Sequence, residues 1–342
     1  MEQTGIKAFL KKKNVNITVQ TYLIDALGAM AFGLFASLLI GTIFATIGDK
    51  TQIQIFTVIA DYAKSATGAA LGVAIAYALK APQLVLFSAA TVGIAGNALA
   101  QGNPIGALVA TVVATELGKL VSKETRVDIL VTPSVTIISG VLAAQFIGPG
   151  VAKFMDAFGM MVKTATEMQP FFMGILVSAL IGIALTLPIS SAAICMALTL
   201  DGLAGGAATA GCCAQMIGFA VLSFRENGVS GLLAQGLGTS MLQMGNIVKN
   251  PKVWIAPTLA SMITGPIATV VFQMTNIHTA SGMGTCGLVG PIGVYTSMGG
   301  GSKMWIGILL VCLVLPAVLA GIFGEILRKV GWIKDGDLKL DL

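Results

Sequence analysis

The sequence predicts an all-α polytopic membrane protein of about ten transmembrane helices, with re-entrant hairpins and an amphipathic crossover helix. Three observations predict it. More than half of the residues are hydrophobic and only 10% are charged, more apolar surface than a soluble core absorbs. Uncharged runs cover residues 26–48, 81–115, 129–152, 168–200, 202–224, 227–248, 253–302 and 304–324. A spanning helix needs about 20 mostly apolar residues, so the longer runs hold two helices or a helix and a hairpin. Third, the uncharged run before Lys303 contains a polar, glycine-studded stretch, residues 275–301, that will not make a plain spanning helix.

The net charge of +5 does not point to nucleic acid, because of where the charges fall. Lys7, Lys11, Lys12 and Lys13 precede the first span, and Arg328, Lys329, Lys334 and Lys339 follow the last. Lys119, Lys123 and Arg126 cluster in an internal loop. Such clusters mark cytoplasmic faces, so both termini are expected in the cytoplasm and the number of crossings is expected to be even. Residues 1–20 do not read as a secretory signal, since polar residues follow the basic ones. They read as a helix on the anionic inner leaflet.

The first span is expected over 23–47. Residues 51–64 carry Ile53, Phe56, Ile59 and Ala60 at helical spacing, as an interfacial helix or the start of a span. The Ala/Gly-rich stretch 65–79 suits close helix packing. Residues 81–115 hold two helices with a turn at Gly102-Asn103-Pro104. Glu116 reads as a local ion pair with Lys119 three residues on, in preference to a proton-coupling acid. The fifth crossing, 127–148, is followed by Val151, Phe154, Met155, Phe158 and Val162 at helical spacing among charges, an amphipathic helix along the membrane.

In the second half the hydrophobic runs are interrupted. Pro188-Ile-Ser-Ser191 breaks one, leaving Ser190 and Ser191 to bond freed backbone or a ligand. Asp201-Gly202 reads as an exposed turn. Helices are expected from 205 to 224, carrying Gln215, and over 229–247, whose Gln235, Gln243 and Asn246 make an unusually polar face. Arg225-Glu226-Asn227-Gly228 reads as a solvated turn first and a site second. After a span over 253–273 comes the stretch 275–301, then the last crossing, 304–324. Irregular backbone at membrane depth is tolerated only under protein or around a watery cavity, and paired interruptions are where transporters place substrates. Residues 276–301 therefore read as a re-entrant hairpin. It holds His278, the single histidine of the chain, which the sequence weighs equally as a ligand-binding residue and as a loop histidine at the membrane surface. The five cysteines lie in apolar or glycine-rich stretches without metal or disulfide spacing. No metal, cofactor or catalytic residue is expected.

The passages Val127-Asp-Ile-Leu-Val-Thr-Pro-Ser134, Leu187-Pro-Ile-Ser-Ser-Ala-Ala193, 205–227 and 282–293 resemble the EIIC membrane component of the sugar phosphotransferase system. The likeness covers almost the whole chain and is strongest to the stand-alone EIIC-like branch labelled a membrane toxin regulator (PfoR-type). It implies a glucose-superfamily-like architecture in a bacterial plasma membrane and a homodimer. The parts are a basic segment (1–20), a dimerising half (21–150), a crossover helix (151–169), a substrate-binding half with hairpins (170–327) and a cytoplasmic tail (328–342). In sugar-transporting relatives a Gly-Ile-Thr-Glu motif supplies a carboxylate to the sugar. Here Asn276-Ile277-His278-Thr279 stands in that place, and a threonine hydroxyl bonds more weakly than a carboxylate. No EIIA- or EIIB-like domain is read in the chain, so any phosphotransferase activity needs separate phosphoryl-donor proteins.

The leading expectation is a transporter of a small polar, sugar-like solute working by alternating access. Asn276, His278, Thr279 and Ser281 would bind it, with Ser190, Ser191, Gln215 and Glu226 opposite. A ligand-sensing regulator with weak or no transport, and an ion- or proton-coupled transporter using Glu116 or Glu226, are the alternatives. Membrane lipids are the other expected partners.

Overall fold

A computed structural model describes residues 5–100 and 102–340; the first four residues of the basic segment and the last two of the tail lie outside the described part. The chain is 82% helical with no strands among the described residues. Its helices are α1 (Gly5–Lys12), α2 (Gln20–Thr51), α3 (Gln54–Ser65), α4 (Thr67–Ala78), α5 (Gln83–Leu99), α6 (Pro104–Val121) and α7 (Asp128–Thr166). They continue with α8 (Pro170–Thr186), α9 (Ser191–Ala197), α10 (Gly202–Leu222), α11 (Phe224–Leu233), α12 (Met244–Lys249), α13 (Pro251–Phe272), α14 (Val289–Met298) and α15 (Ser302–Lys329). Six of these, α2, α6, α7, α10, α13 and α15, are long and apolar enough to cross a membrane, and α4, α5 and α8 are shorter apolar helices.

The residues group into two compact units, 1–41 with 61–154, and 42–60 with 155–342. Helix α7 runs through Pro149 without a break, so the fifth expected crossing and the amphipathic crossover segment are one helix. Proline removes one hydrogen bond and bends a helix, yet neighbouring turns keep this one continuous. The crossover segment begins inside this helix and continues into the second unit.

In the first unit, α2, α4, α5 and α6 meet through glycines. Gly72 lies against the backbone of Ala89 and Gly93, and Gly96 against Gly106. Small residues let helix backbones approach closely where water offers no driving force. The stretch 51–64, left open by the sequence, is a separate helix, α3, whose residues up to Ala60 belong to the second unit and which only Ala66 separates from α4.

The second unit is built around α10, whose residues from Gly205 to Leu222 are almost all buried. Helices α8, α13 and α15 surround it. Gly211 of α10 meets the backbone of Ser178 in α8, and Gly218 meets Pro257 and Ala320. Two of the long helices loosen into wider π turns beside prolines: Ile267–Phe272 follows Pro266, and Leu310–Val314 precedes Pro316. Proline's missing N–H and bulky ring disturb the regular ladder there.

The expected helix over 229–247 differs in the structure. Gly228 (φ 58°) and the extended Thr239 (φ −159°) break it into short pieces. Its amide side chains bind the C-terminal tail. Asn227 brackets the tail, donating to the Leu338 carbonyl and accepting from the Leu340 N–H, both at 2.8 Å. Gln243 donates to Leu338, Asn246 to Lys339 and Asn250 to Trp332. Leu338 is fully buried beneath them. The polar face is therefore a seat for the tail.

Candidate functional site

The two interrupted segments lie side by side, the second of them along α10. After Thr186 the chain turns back through Leu187 and Pro188 into the seven-residue α9, whose first turn is capped by Ser190 Oγ accepting from the Ala193 N–H at 3.2 Å. This segment returns the chain to Asp201, where α10 starts. The second segment enters beside the same end. Met274 and Asn276 press against Gly206 and Gly205 of α10, where a Cβ on Gly206 would stand 1.8 Å from the Met274 carbonyl oxygen. The Asn276 N–H donates to the Gly202 carbonyl at 3.1 Å. A short helical turn, His278–Ser281, follows. The chain then runs down α10, placing Gly284 against Cys212 and the Thr285 hydroxyl on Met216 and the Gly236 carbonyl. From Gly205 to Met216 that descent covers about 16 Å of helix rise, near half the bilayer's hydrocarbon thickness.

Helix α14 brings the chain back. Gly290 returns beside Gly284 and Thr209, Gly293 packs on the Asn276 carboxamide, and Ser297 bonds Thr275 at 2.8 Å. The way in and the way out thus end together, which is the geometry of a re-entrant hairpin. The two broken segments touch directly: Ser191 Oγ donates to the Gly282 carbonyl at 2.8 Å, and Gly282 sits against the backbone of Ser191 and Ala192.

The sequence-predicted residues fall into three groups. Asn276, Ser281 and Ser191 are buried and committed to the protein. Asn276 Nδ2 donates to Thr209 Oγ1 (2.7 Å) and the Gly290 carbonyl (3.1 Å), while its Oδ1 accepts from the Ile277 N–H. Ser281 Oγ donates to the His278 carbonyl at 3.3 Å. These side chains close the hairpin rather than face a guest. His278, Thr279 and Ser190 form the accessible edge, with His278 and Ser190 half-buried and Thr279 exposed.

The third group lies elsewhere. Gln215 is fully buried, deeper along α10, and all four of its bonding positions are used: Oε1 accepts from Thr186 and Trp254, and Nε2 donates to Thr258 and Ser261. It ties α8, α10 and α13 together and offers nothing to a ligand. Glu226 sits beyond the far end of α10, a 21-residue helix about 30 Å long. There it pairs with Arg328 at 2.8 Å, both side chains only 9% exposed. The expectation that Gln215 and Glu226 face a ligand opposite the hairpin is corrected: Gln215 stands level with the hairpin's inner end but is saturated by protein groups, and Glu226 lies beyond the far end of α10 in its pair with Arg328.

Asp201 is the residue the sequence reading missed. Its Oδ1 accepts from the His278 backbone N–H at 2.6 Å and lies 2.9 Å from His278 Nδ1. The backbone N–H, then the ring, hold the Asp201 carboxyl below the usual carboxylate range. Its Oδ2 has no hydrogen-bond partner among the described residues. The signal was present: Asp201 is the single acid between Glu167 and Glu226, and it stands at the junction of one broken segment with a buried helix. Its carboxylate stands beside the hairpin that lacks one of its own. The cluster can accept hydrogen bonds at Asp201 Oδ2 and, with the Nδ1–H turned to Asp201, at His278 Nε2, and can both donate and accept at Thr279 and Ser190, a set suited to a neutral hydroxyl-rich molecule.

Glu116, the other acid weighed from sequence, pairs with Lys119 at 2.9 Å in the first unit, as its local reading expects.

A family model described as "Phosphotransferase system, EIIC" matches residues 24–340. Comparison with curated proteins and with solved structures finds no match.

Proposed function

The chain belongs to the EIIC family, the sugar-transport membrane component of the phosphotransferase system, and from that premise we propose that it moves a small polar, sugar-like solute bound where its two broken segments meet. Asp201, His278, Thr279 and Ser190 hold the solute's hydroxyls. Asn276, Ser191 and Ser281 keep the hairpin folded behind them. The observation that carries this reading is the placement of Asp201: a carboxylate, on an exposed turn, fixed against the hairpin histidine at 2.6 and 2.9 Å.

Alternating access then rests on the hairpin and α9 moving together, since Ser191 is bonded to Gly282. Both termini face the cytoplasm in this reading, and the protein works as a homodimer whose 21–150 half forms the contact. Phosphorylation of the solute, where it occurs, comes from separate proteins of the system.

A ligand-sensing role is favoured by one feature, Thr279 at the position where sugar-transporting relatives carry glutamate. Flux decides between the two. Purified protein in proteoliposomes, offered a panel of labelled hexoses and hexitols, is expected to accumulate at least one of them, and His278→Ala is expected to abolish that uptake. Binding without flux supports sensing. Uptake unchanged in His278→Ala removes the histidine from the site.

A further inference from the structure

In the first unit, three helix ends converge on an open cavity of about 360 Å³ that the solute site does not involve. They are the C-terminal ends of α1, α4 and α6. Lys12, Lys13, Lys80, Lys119 and Lys123 line it, with Glu124 as the acid. The sequence keeps these lysines in separate clusters; the fold brings them together.

The lysines divide by what they already hold. Lys119, 1% exposed, bonds Glu116 and the Asn14 carbonyl, both at 2.9 Å. Lys13 bonds the Ser122 carbonyl and pairs with Glu124. These two clamp the N-terminal segment onto the loop after α6 and fix the cavity wall. Lys12, Lys80 and Lys123 are exposed, and among the described residues they have no ion pair. Helix C-termini carry about half a negative charge each, and Asp128 accepts from the Lys123 N–H at 2.6 Å; with Glu116, Glu124 and Asp128 counted, the five lysines remain narrowly in excess.

The backbone supplies a second observation. Asn14, Lys80 and Lys123 all line the cavity in left-handed conformation, at φ 55°, 57° and 61°. Positions of this kind just past a helix end favour glycine, with asparagine next. Lys80 closes α4 this way, its N–H donating to the Tyr77 carbonyl and that of Ala81 to the Ala76 carbonyl, and a lysine there carries a conformational cost that glycine would not.

From this geometry we propose that the cavity is a binding site for a phosphate-bearing anion, either the headgroup of an anionic phospholipid or free phosphate. Its volume is in the range of small-ligand sites, and basic pockets among membrane helices suit phosphorylated headgroups. The proposal is independent of the solute site.

The test uses the full-length protein in detergent and the double variant Lys80→Gly/Lys123→Gly, which removes two charges while relieving strained backbone. Native mass spectrometry with phosphatidylglycerol against phosphatidylcholine reads the lipid, and calorimetric titration with inorganic phosphate reads the free anion. The wild type is expected to take up phosphatidylglycerol at about tenfold lower concentration than phosphatidylcholine, or to bind phosphate. The double variant is expected to lose that preference while melting no lower than the wild type. Lys80→Asn/Lys123→Asn gives the same reading if the glycine variant does not fold. A charge-matched control, Lys153→Ser/Lys163→Ser, is expected to keep the preference. Phosphatidylglycerol binding with no phosphate heat assigns the site to lipid, and a phosphate heat lost in the variant assigns it to the free anion. Equal uptake of both lipids with no phosphate binding, an unchanged preference in the double variant, or an equal loss in the control overturns the proposal.

Discussion

Asn276 and His278 stand two residues apart and have opposite roles. Both are polar, both sit in the same irregular stretch, and residue type alone does not tell which side chain turns inward. Asn276 is sealed against Gly205, Thr209 and Gly290, whereas His278 reaches out to Asp201. Asn276→Ala is therefore expected to cost about 1–3 kcal/mol, by stranding buried groups, and to appear as a lower melting temperature. His278→Ala is expected to leave melting nearly unchanged and to remove solute binding, measured on the same preparations. The Asp201 carboxyl carries a pH dependence whose sign follows from its partners. Its folded form favours the carboxylate, so the hairpin anchor is complete above the ordinary aspartate value of about 4 and is lost as pH falls through the lower folded value. Solute binding is expected to weaken on that acid side, and Asp201→Asn is expected to flatten the profile.

At the scale of elements, what the sequence showed well was where helices stop. Pro188 and the glycine run from 282 to 301 mark breaks because backbone conformation there is restricted by residue type alone. What it did not show was which helix receives them. That is decided by α10, whose glycines form flat ground for two neighbours. A Cβ on Gly211 would stand 1.9 Å from the Ser178 carbonyl oxygen, and one on Gly206 1.8 Å from that of Met274. Gly206→Ala is expected to displace the hairpin and abolish solute binding, while Gly236→Ala, whose nearest neighbour would be 3.5 Å away, is expected to retain binding. Ligand-binding assays on the two variants separate them.

Over the whole molecule, hydropathy made the membrane class and the helical fold legible, since long uncharged runs leave few other structures. Contacts between residues far apart in the chain were not legible. The polar residues Gln235, Gln243 and Asn246 read as an unusually polar face for a membrane span, and they hold one another or the segment at Leu338 and Lys339. Glu226, weighed as a ligand residue, pairs with Arg328 a hundred residues later. Breaking that buried pair with Glu226→Gln is expected to cost about 3 kcal/mol, and Leu338→Ala about 2–3 kcal/mol. Both are expected to lower the melting temperature while solute affinity holds, because α10 separates them from the hairpin. The central claim is that the exposed edge of that hairpin faces the solute's path. It is tested most directly by Thr279→Cys, read against five native cysteines that are all buried. A membrane-impermeant maleimide is expected to label this cysteine, and the transported hexose to slow the labelling. Labelling that is unaffected by a solute the protein demonstrably moves would contradict the account.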